Sequence, residues 1–365
     1  MNSQSPVPLA GLRPAELEKL FISQPRFRCT QIYKWIMRGV TDFNQMTDIP
    51  NSLRREMEEH FSLYSSTVEE RHNDRDAKKI VLALRDGLKI ESVLLKDGKK
   101  RLTACLSTQA GCPSGCVFCK TGSLGFSRNL TAGEIVEQFL FLKTAAASAL
   151  EADTQNVENY SGRIIDNIVI MGMGEPLLNM AELRKAIGIF TEPAGINFSK
   201  RRITVSTCGI CGSLFDIAEN GPFMRLALSL ATADEPLRKK LMPVAAANPL
   251  QKVKEALILF QRNGGGRVTL EVPLLGGINT REKDALSIAE FAGGIDTVVN
   301  IIPWNPVAGL EFEGKPLREP EKKETEDFTG MLKNHGLKVT MRLRKGSRIT
   351  GACGQLGRLT KKKTE

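Results

Sequence analysis

The stretch Gly111-Cys112-Pro113-Ser114-Gly115-Cys116-Val117-Phe118-Cys119 decides how this chain is read. Its three cysteines stand in a C-x3-C-x2-C spacing, directly after the apolar run Leu102 to Ser107. Two short intervals between thiols let one loop wrap a corner of an inorganic cluster, and Ser114 and Gly115 suit a backbone that must turn tightly. A cubane 4Fe–4S cluster held by three thiolates keeps one iron without a protein ligand, where a small molecule can chelate. The competing reading is a zinc knuckle, which needs paired C-x2-C units with a fourth Cys or His at hand. Here His60, His72 and His335 are scattered, and no second pair lies at zinc-ribbon distance from the loop. The spacing favours the cluster.

The chain has 365 residues, 41% apolar and 25% charged, which is room for one large domain, a smaller one and a sizeable core. No run approaches the roughly 18 apolar residues of a membrane span. The start, MNSQSPVPLAGLRPAEL, lacks the basic end and apolar centre of a signal peptide, so a cytoplasmic location without a membrane partner is expected. Eight cysteines, clustered as they are, point to metal and redox chemistry rather than a secreted disulfide scaffold. The formal net charge of +10 favours a polyanionic partner such as RNA.

Residues from about Leu12 to Phe61 read as a small helical unit. Pro14 suits a first helical turn, and Ile32, Trp35 and Ile36 fall at i, i+3, i+4 spacing. Asp48-Ile49-Pro50 ends that pattern, and Asn51 is expected to cap a further helix through His60. Arg26, Arg28, Lys34, Arg38, Arg54 and Arg55 make the unit basic, which suits a solvated face or an RNA-docking face equally. Cys29 reads as a packed or free thiol. From Lys78 the pattern becomes β: two strand-like runs flank Asp86-Gly87, a hairpin signal, and a third runs from Leu102 to Ser107.

Beyond the cysteine loop the chain alternates helix and strand. Thr131 caps a helix over Gly133 to Lys143, and the small, polar and acidic stretch Ala145 to Gly162 reads as a surface excursion. Strands are expected near Asn167–Met171, Arg202–Ser206, Arg225–Leu230, Arg267–Pro273 and Thr297–Ile302, with helices near Ala181–Phe190, Pro249–Asn263 and Thr280–Ala292. Such β-α repetition argues for a parallel sheet, open or closed into a barrel, whose ligands gather at the carboxyl ends of the strands. There the cysteine loop, Gly172-Met173-Gly174-Glu175-Pro176, Ser206, Ser229 and Asn305 would share one rim. The expected division is a helical N-terminal unit (1–75), a β extension (76–100), the β-α body (101–345) and a C-terminal segment (346–365) with a charged, disordered tail from Leu359.

The motifs GCPSGCVFCKTG, GFSRNLTAGEIVEQ, MGMGEPLLN, SKRRITVST, IIPWNP and ACGQLG together resemble the RlmN/Cfr family of radical S-adenosylmethionine (SAM) RNA adenosine methyltransferases, from about Ala15 to Gly357. The resemblance implies an α/β fold, a partial (β/α)6 barrel with a small helical RNA-recognition domain and a β-hairpin extension. It implies a 4Fe–4S cluster on Cys112, Cys116 and Cys119, whose open iron chelates SAM. Gly174 and Glu175 would hold the amino group of that cofactor, with Ser206, Ser229 and Asn305 completing its site. Where the family usually reads Ser-Leu-His this chain has Ser229-Leu230-Ala231, so one polar contact is lost unless Thr232 compensates.

The resemblance also implies roles for two further cysteines. Alone, Cys353 reads as an inert packed thiol despite its glycine-flanked setting; by the family pattern it carries a methyl group, and Cys105 is the resolving thiol. Adenine C2 or C8 is not nucleophilic, so one SAM would methylate Cys353 and a second, cleaved reductively, would generate the radical that activates that methyl. A Cys105–Cys353 disulfide would then free the product. Glu91, in Ile90-Glu91-Ser92-Val93, is the matching base, against the reading of an outward-facing strand carboxylate. Cys208 and Cys211 match no family ligand and read as packed thiols. The implied partners are 23S rRNA, tRNA and an electron donor such as flavodoxin or ferredoxin, with a monomer as the default state. The wording of the motifs is nearer the branch that methylates C2 than the resistance branch that methylates C8. A basic RNA-binding protein with a structural or redox-sensing cluster is the non-catalytic alternative.

Overall fold

The computed structural model describes residues 6–151, 164–342 and 344–357. Three helices open the chain: α1 (Pro14–Leu20), α2 (Arg26–Arg38) and α3 (Asn51–His60). In α2, Cys29, Ile32, Tyr33, Ile36 and Met37 make the buried stripe, and Trp35 sits at its edge with Arg38 stacked 4.6 Å from its ring centroid. Pro50, not Asn51, occupies the N-cap of α3, and Asn51 is its first helical residue.

Ten strands then form one sheet whose spatial order follows the sequence. They are β1 (Ser66–Asn73), β2 (Ala77–Leu84), β3 (Lys89–Lys96), β4 (Leu102–Cys105), β5 (Asn167–Ile170), β6 (Ile203–Thr207), β7 (Arg225–Ser229), β8 (Val268–Leu274), β9 (Thr297–Pro303) and β10 (Val339–Met341). Neighbours from β1 to β4 are antiparallel, and those from β4 to β10 are parallel. Strand β4 therefore joins two sheet types, pairing Cys105 with Val93 on one side and Val169 on the other. The six strands β4 to β9 are the β-α repeat read from the sequence, and β10 adds a short seventh.

The connecting helices are α4 (Ala132–Glu151), α5 (Met180–Thr191), α6 (Cys211–Asn220), α7 (Glu235–Leu241), α8 (Leu250–Arg262), α9 (Glu282–Ala292) and α10 (Lys322–Asn334). A capping box starts α4: Thr131 Oγ1 accepts from Glu134 N at 3.2 Å, and Glu134 Oε2 accepts from Thr131 N at 2.9 Å. This helix corrects the surface excursion expected from Ala145. Its alanine-rich end is a good helix former and continues through Glu151, while residues 152–163 lie outside the described residues. The tail expected from Leu359 also lies outside them. Glu137 of α4, fully buried, accepts hydrogen bonds from the backbone N and hydroxyl of both Ser65 and Ser66, pinning the start of β1 to the body. Among the described residues no helix is long and apolar enough to cross a membrane.

Candidate active site

The cysteine loop is held from four sides. Cys112 N donates to Gly125 O at 2.8 Å, Val117 N to Leu241 O at 3.0 Å, Lys120 N to Gly354 O at 2.7 Å, and Trp304 Nε1 to Phe118 O at 2.8 Å. Gly111 has φ +80°, and a Cβ there would stand 2.0 Å from Gly125 O, so only glycine admits this crossing of backbones. Burial pushes all three thiols, Cys112, Cys116 and Cys119, above the usual range, with neighbouring sulfurs adding to the rise: the loop's own for Cys112 and Cys116, and Cys353 for Cys119. The three line one cavity of ≈190 Å³. Among the described residues no three Cys, His, Asp or Glu side chains converge as ligands of a single ion. The thiols stand around a space instead.

Loops at the carboxyl ends of the parallel strands supply the facing wall, with Gly174, Glu175, Ser206, Ser229 and Asn305. Gly174 has φ +100°, and a Cβ would lie 2.5 Å from Gln109 Cβ, so the chain passes there only as glycine. Glu175 is buried; its Oε1 accepts from Leu177 N at 2.9 Å and its Oε2 from Cys208 N at 2.7 Å. Burial raises its pKa, and those bonds oppose the rise. Ser206 and Ser229 share a hydroxyl contact of 3.1 Å. Asn305 Nδ2 donates to Cys353 O at 2.9 Å, while its buried Oδ1 has no partner.

Cys353 stands where this cavity meets a second, of ≈720 Å³, whose wall includes Cys105, Arg101, Arg342, Arg344 and Lys345. Leu230 and Ala231 do not line either cavity. Leu230 is buried in the core, and Ala231, at φ +60°, is fully buried in an apolar cluster with Leu241 and Met242. Thr232 Oγ1 accepts from Asp234 N at 3.2 Å in a local turn, and Thr232 lines neither cavity. Glu91 also lies outside both walls; it forms a buried ion pair with Lys79 at 2.9 Å.

The radical SAM superfamily model matches residues 106–289, and the ribosomal RNA large subunit methyltransferase N-terminal domain model matches residues 7–63. A Treponema denticola protein named probable dual-specificity RNA methyltransferase RlmN is 46% identical over 96% of this chain and 95% of its own length. A Lawsonia intracellularis dual-specificity RNA methyltransferase RlmN is 38% identical over 95% of this chain and 96% of its own. The chain belongs to the RlmN family of radical SAM methyltransferases. A crystal structure of a radical SAM methyltransferase from Sphaerobacter thermophilus superposes on this RlmN-family chain with a TM-score of 0.87, at 35% identity over 96% of this chain and 99% of that one.

The cofactors of an RlmN-family enzyme, a 4Fe–4S cluster and SAM, fit the residues present. Three soft thiols round a cavity match a cluster, and the unpartnered Asn305 Oδ1 and the buried Glu175 carboxylate beside them suit a ligand carrying N–H donors. Residues that the sequence motifs did not single out complete the site. Arg342 lines both cavities, and the Cys353 thiol beside it raises its pKa. Glu271, a carboxylate inside an apolar strand, lines the cluster cavity and accepts from Asn300 Nδ2 at 2.8 Å. That interruption of β8 was the one available signal. Cys208, packed as expected, also lines the cluster cavity, 3.6 Å from Ser114 Oγ.

Cys105 is buried, and burial, with the neighbouring Cys353 second, pushes its thiol up to about 12. At pH 8 its thiolate is then roughly a thousandfold scarcer than that of an ordinary thiol. Alkylation of Cys105, followed by peptide mass spectrometry, should be very slow at pH 8 and rise about tenfold per pH unit to pH 10. A rate already level at pH 8 would contradict this environment.

Proposed function

We propose that this enzyme forms 2-methyladenosine in 23S rRNA and in tRNA beside the anticodon, with the methyl group passing through Cys353. Cys112, Cys116 and Cys119 would hold the cluster; Gly174, Glu175, Ser206, Ser229 and Asn305 would hold SAM. When bound, these groups supply the transferable methyl and single-electron cleavage chemistry. The observation that carries the reading is the place of Cys353 at the junction of the two cavities, its backbone held by Asn305. One cavity has the thiol set and the polar rim. The other has Cys105 and a basic wall suited to a nucleotide.

In this reading Cys353 Sγ accepts a methyl in the inner cavity and presents it to adenine in the outer one. Cys105 Sγ would then form the S–S bond as the Cys353 Sγ–carbon bond breaks. The electron pair of that bond stays with the ring-bound carbon, which takes up a proton to become the methyl group. Glu91 would take the displaced ring proton, and the one unpaired electron would return to the bound electron-transfer group. Leu230 and Ala231 would border SAM beside Ser229, without the polar side chain that the histidine of the family pattern supplies. The helical unit at the N-terminus would dock RNA through its basic residues. A low-potential donor such as flavodoxin or ferredoxin would supply electrons to a cytoplasmic monomer.

The test is nucleoside mass spectrometry on protein reconstituted anaerobically with iron and sulfide, given SAM, a low-potential reductant, and 23S rRNA fragments or tRNA in parallel. 2-Methyladenosine is expected from both RNAs. 8-Methyladenosine would place the enzyme in the resistance branch, and no methyladenosine would favour a non-catalytic iron–sulfur protein.

A further inference from the structure

The segment that carries Cys353 is tied at both ends to one buried ion pair that lies outside both cavities. Lys79 on β2 and Glu91 on β3 meet across the hairpin, Nζ to Oε1 2.9 Å, with side chains 2% and 3% exposed. Each member also reaches the C-terminal segment. Lys79 Nζ donates to Thr350 Oγ1 at 2.8 Å, and Gly357 N donates to Glu91 Oε2 at 2.7 Å. Thr350 and Gly357 bracket Cys353 on either side.

A buried ion pair gains little net stability over an apolar pair of the same volume, so its value here lies in what it holds. Bonds to charged groups are the strong ones, and two of them end on a short segment. The segment has to be held firmly enough to keep Cys353 at the cavity junction, yet one thiol must serve two cavities.

We propose that Lys79 is a positioning residue that, with Glu91, latches the Cys353 segment at Thr350 and Gly357. Glu91 then becomes available as a proton acceptor only when Gly357 leaves it. The inference rests on the roles assigned above to Cys353 and Glu91. It gives those roles an order: release of the segment frees the thiol to move and uncovers the carboxylate in the same event.

Backbone hydrogen exchange in the cluster-loaded enzyme, followed by mass spectrometry, reads segment opening without any methyl transfer. Thr350→Val removes the hydroxyl acceptor from an exposed residue at constant volume, leaving Lys79 Nζ only the longer 3.5 Å contact with Thr350 O, and Thr350→Ser keeps the hydroxyl. The Lys79→Met/Glu91→Leu double variant removes the ion pair while leaving no lone buried charge. Thr350→Val should raise exchange over residues 351–357 about tenfold, ~1.4 kcal/mol of protection, and the double variant should raise it further. Thr350→Ser should stay within twofold of the parent, and exchange in β8 should not change in any variant. Unchanged exchange over 351–357 in both Thr350→Val and the double variant would overturn the latch. So would a uniform rise across the whole chain, which is what a merely structural pair predicts. Failure of Cys353 as methyl carrier would leave all these rates as predicted, so the two ideas fail separately.

Discussion

Cys353→Ala should lower methyladenosine formation by at least about a thousandfold while leaving the cluster absorbance and the melting temperature nearly unchanged. Among the described residues the half-buried thiol has no hydrogen-bond partner through which its loss would be felt in the fold; its backbone carbonyl, held by Asn305, survives the change. The cluster loop is tied to the same segment through Lys120 N and Gly354 O, a backbone contact that alanine also keeps. Loss of stability should therefore stay within about 0.5 kcal/mol. A residual activity above about one tenth of the parent would mean that methyl reaches the base by another route. The check is nucleoside analysis beside the iron–sulfur absorbance of the same preparation.

Glu137→Ala should be the most destabilising single change outside the barrel core. Four donors from Ser65 and Ser66 end on this one carboxylate, and all would be stranded beside a cavity. Leaving buried donors unpaired costs about 1–3 kcal/mol each before relaxation, so a net loss of about 3–5 kcal/mol is expected. Burial outweighs the four bonds and raises the carboxyl pKa. A raised carboxyl pKa means that folding favours the proton-bound form. Its contribution is then fullest below the unfolded pKa and declines as pH rises through the raised one. Glu137→Gln, neutral and still an acceptor, should accordingly lose only about 1–2 kcal/mol at pH 7. Urea unfolding decides the matter: both variants should lower the midpoint without a change of slope. A Glu137→Ala midpoint equal to the parent's would show that β1 is not anchored to α4 through this residue.

The fold was legible wherever one physical signal dominated. Asp86-Gly87 between two apolar runs gave the β2–β3 hairpin, with Gly87 at φ +80°, and Thr131 as a cap gave the start of α4, where the structure adds Glu134 as its reciprocal partner. Strand β1 was not legible, because Thr67-Val68-Glu69-Glu70-Arg71-His72 is a polar edge strand with almost no apolar alternation. The extension of α4 through Ala145 to Glu151 was misread because small residues look like a loop when no apolar period runs through them.

The site followed the same division. Local spacing carried the cysteine loop, and Gly174, Glu175, Ser206, Ser229 and Asn305 came together because strand ends in a parallel sheet share one rim. Arg342 and Glu271 reach that rim from positions that carry no motif, and only the sheet brings them beside Cys353 and Asn305. The sequence pattern groups Leu230 and Ala231 with Ser229; of the three only Ser229 lines the cavity, and Ala231 sits in a left-handed turn just behind it. Glu91 was read as a base on a strand. Its contact with Lys79 crosses the β2–β3 hairpin, but the contact of Lys79 with Thr350 joins residues 271 apart in the chain, which no local pattern encodes.

Isotope tracing through the thiol follows the methyl group itself. Enzyme whose Cys353 carries a deuterated methyl group, freed of excess labelled SAM, is given RNA and unlabelled SAM for a single turnover. The first methyladenosine formed should carry deuterium, and one labelled methyl group should leave the Cys353 peptide for each one formed. An unlabelled first product, with the deuterated methyl still on Cys353, would contradict transfer through this thiol.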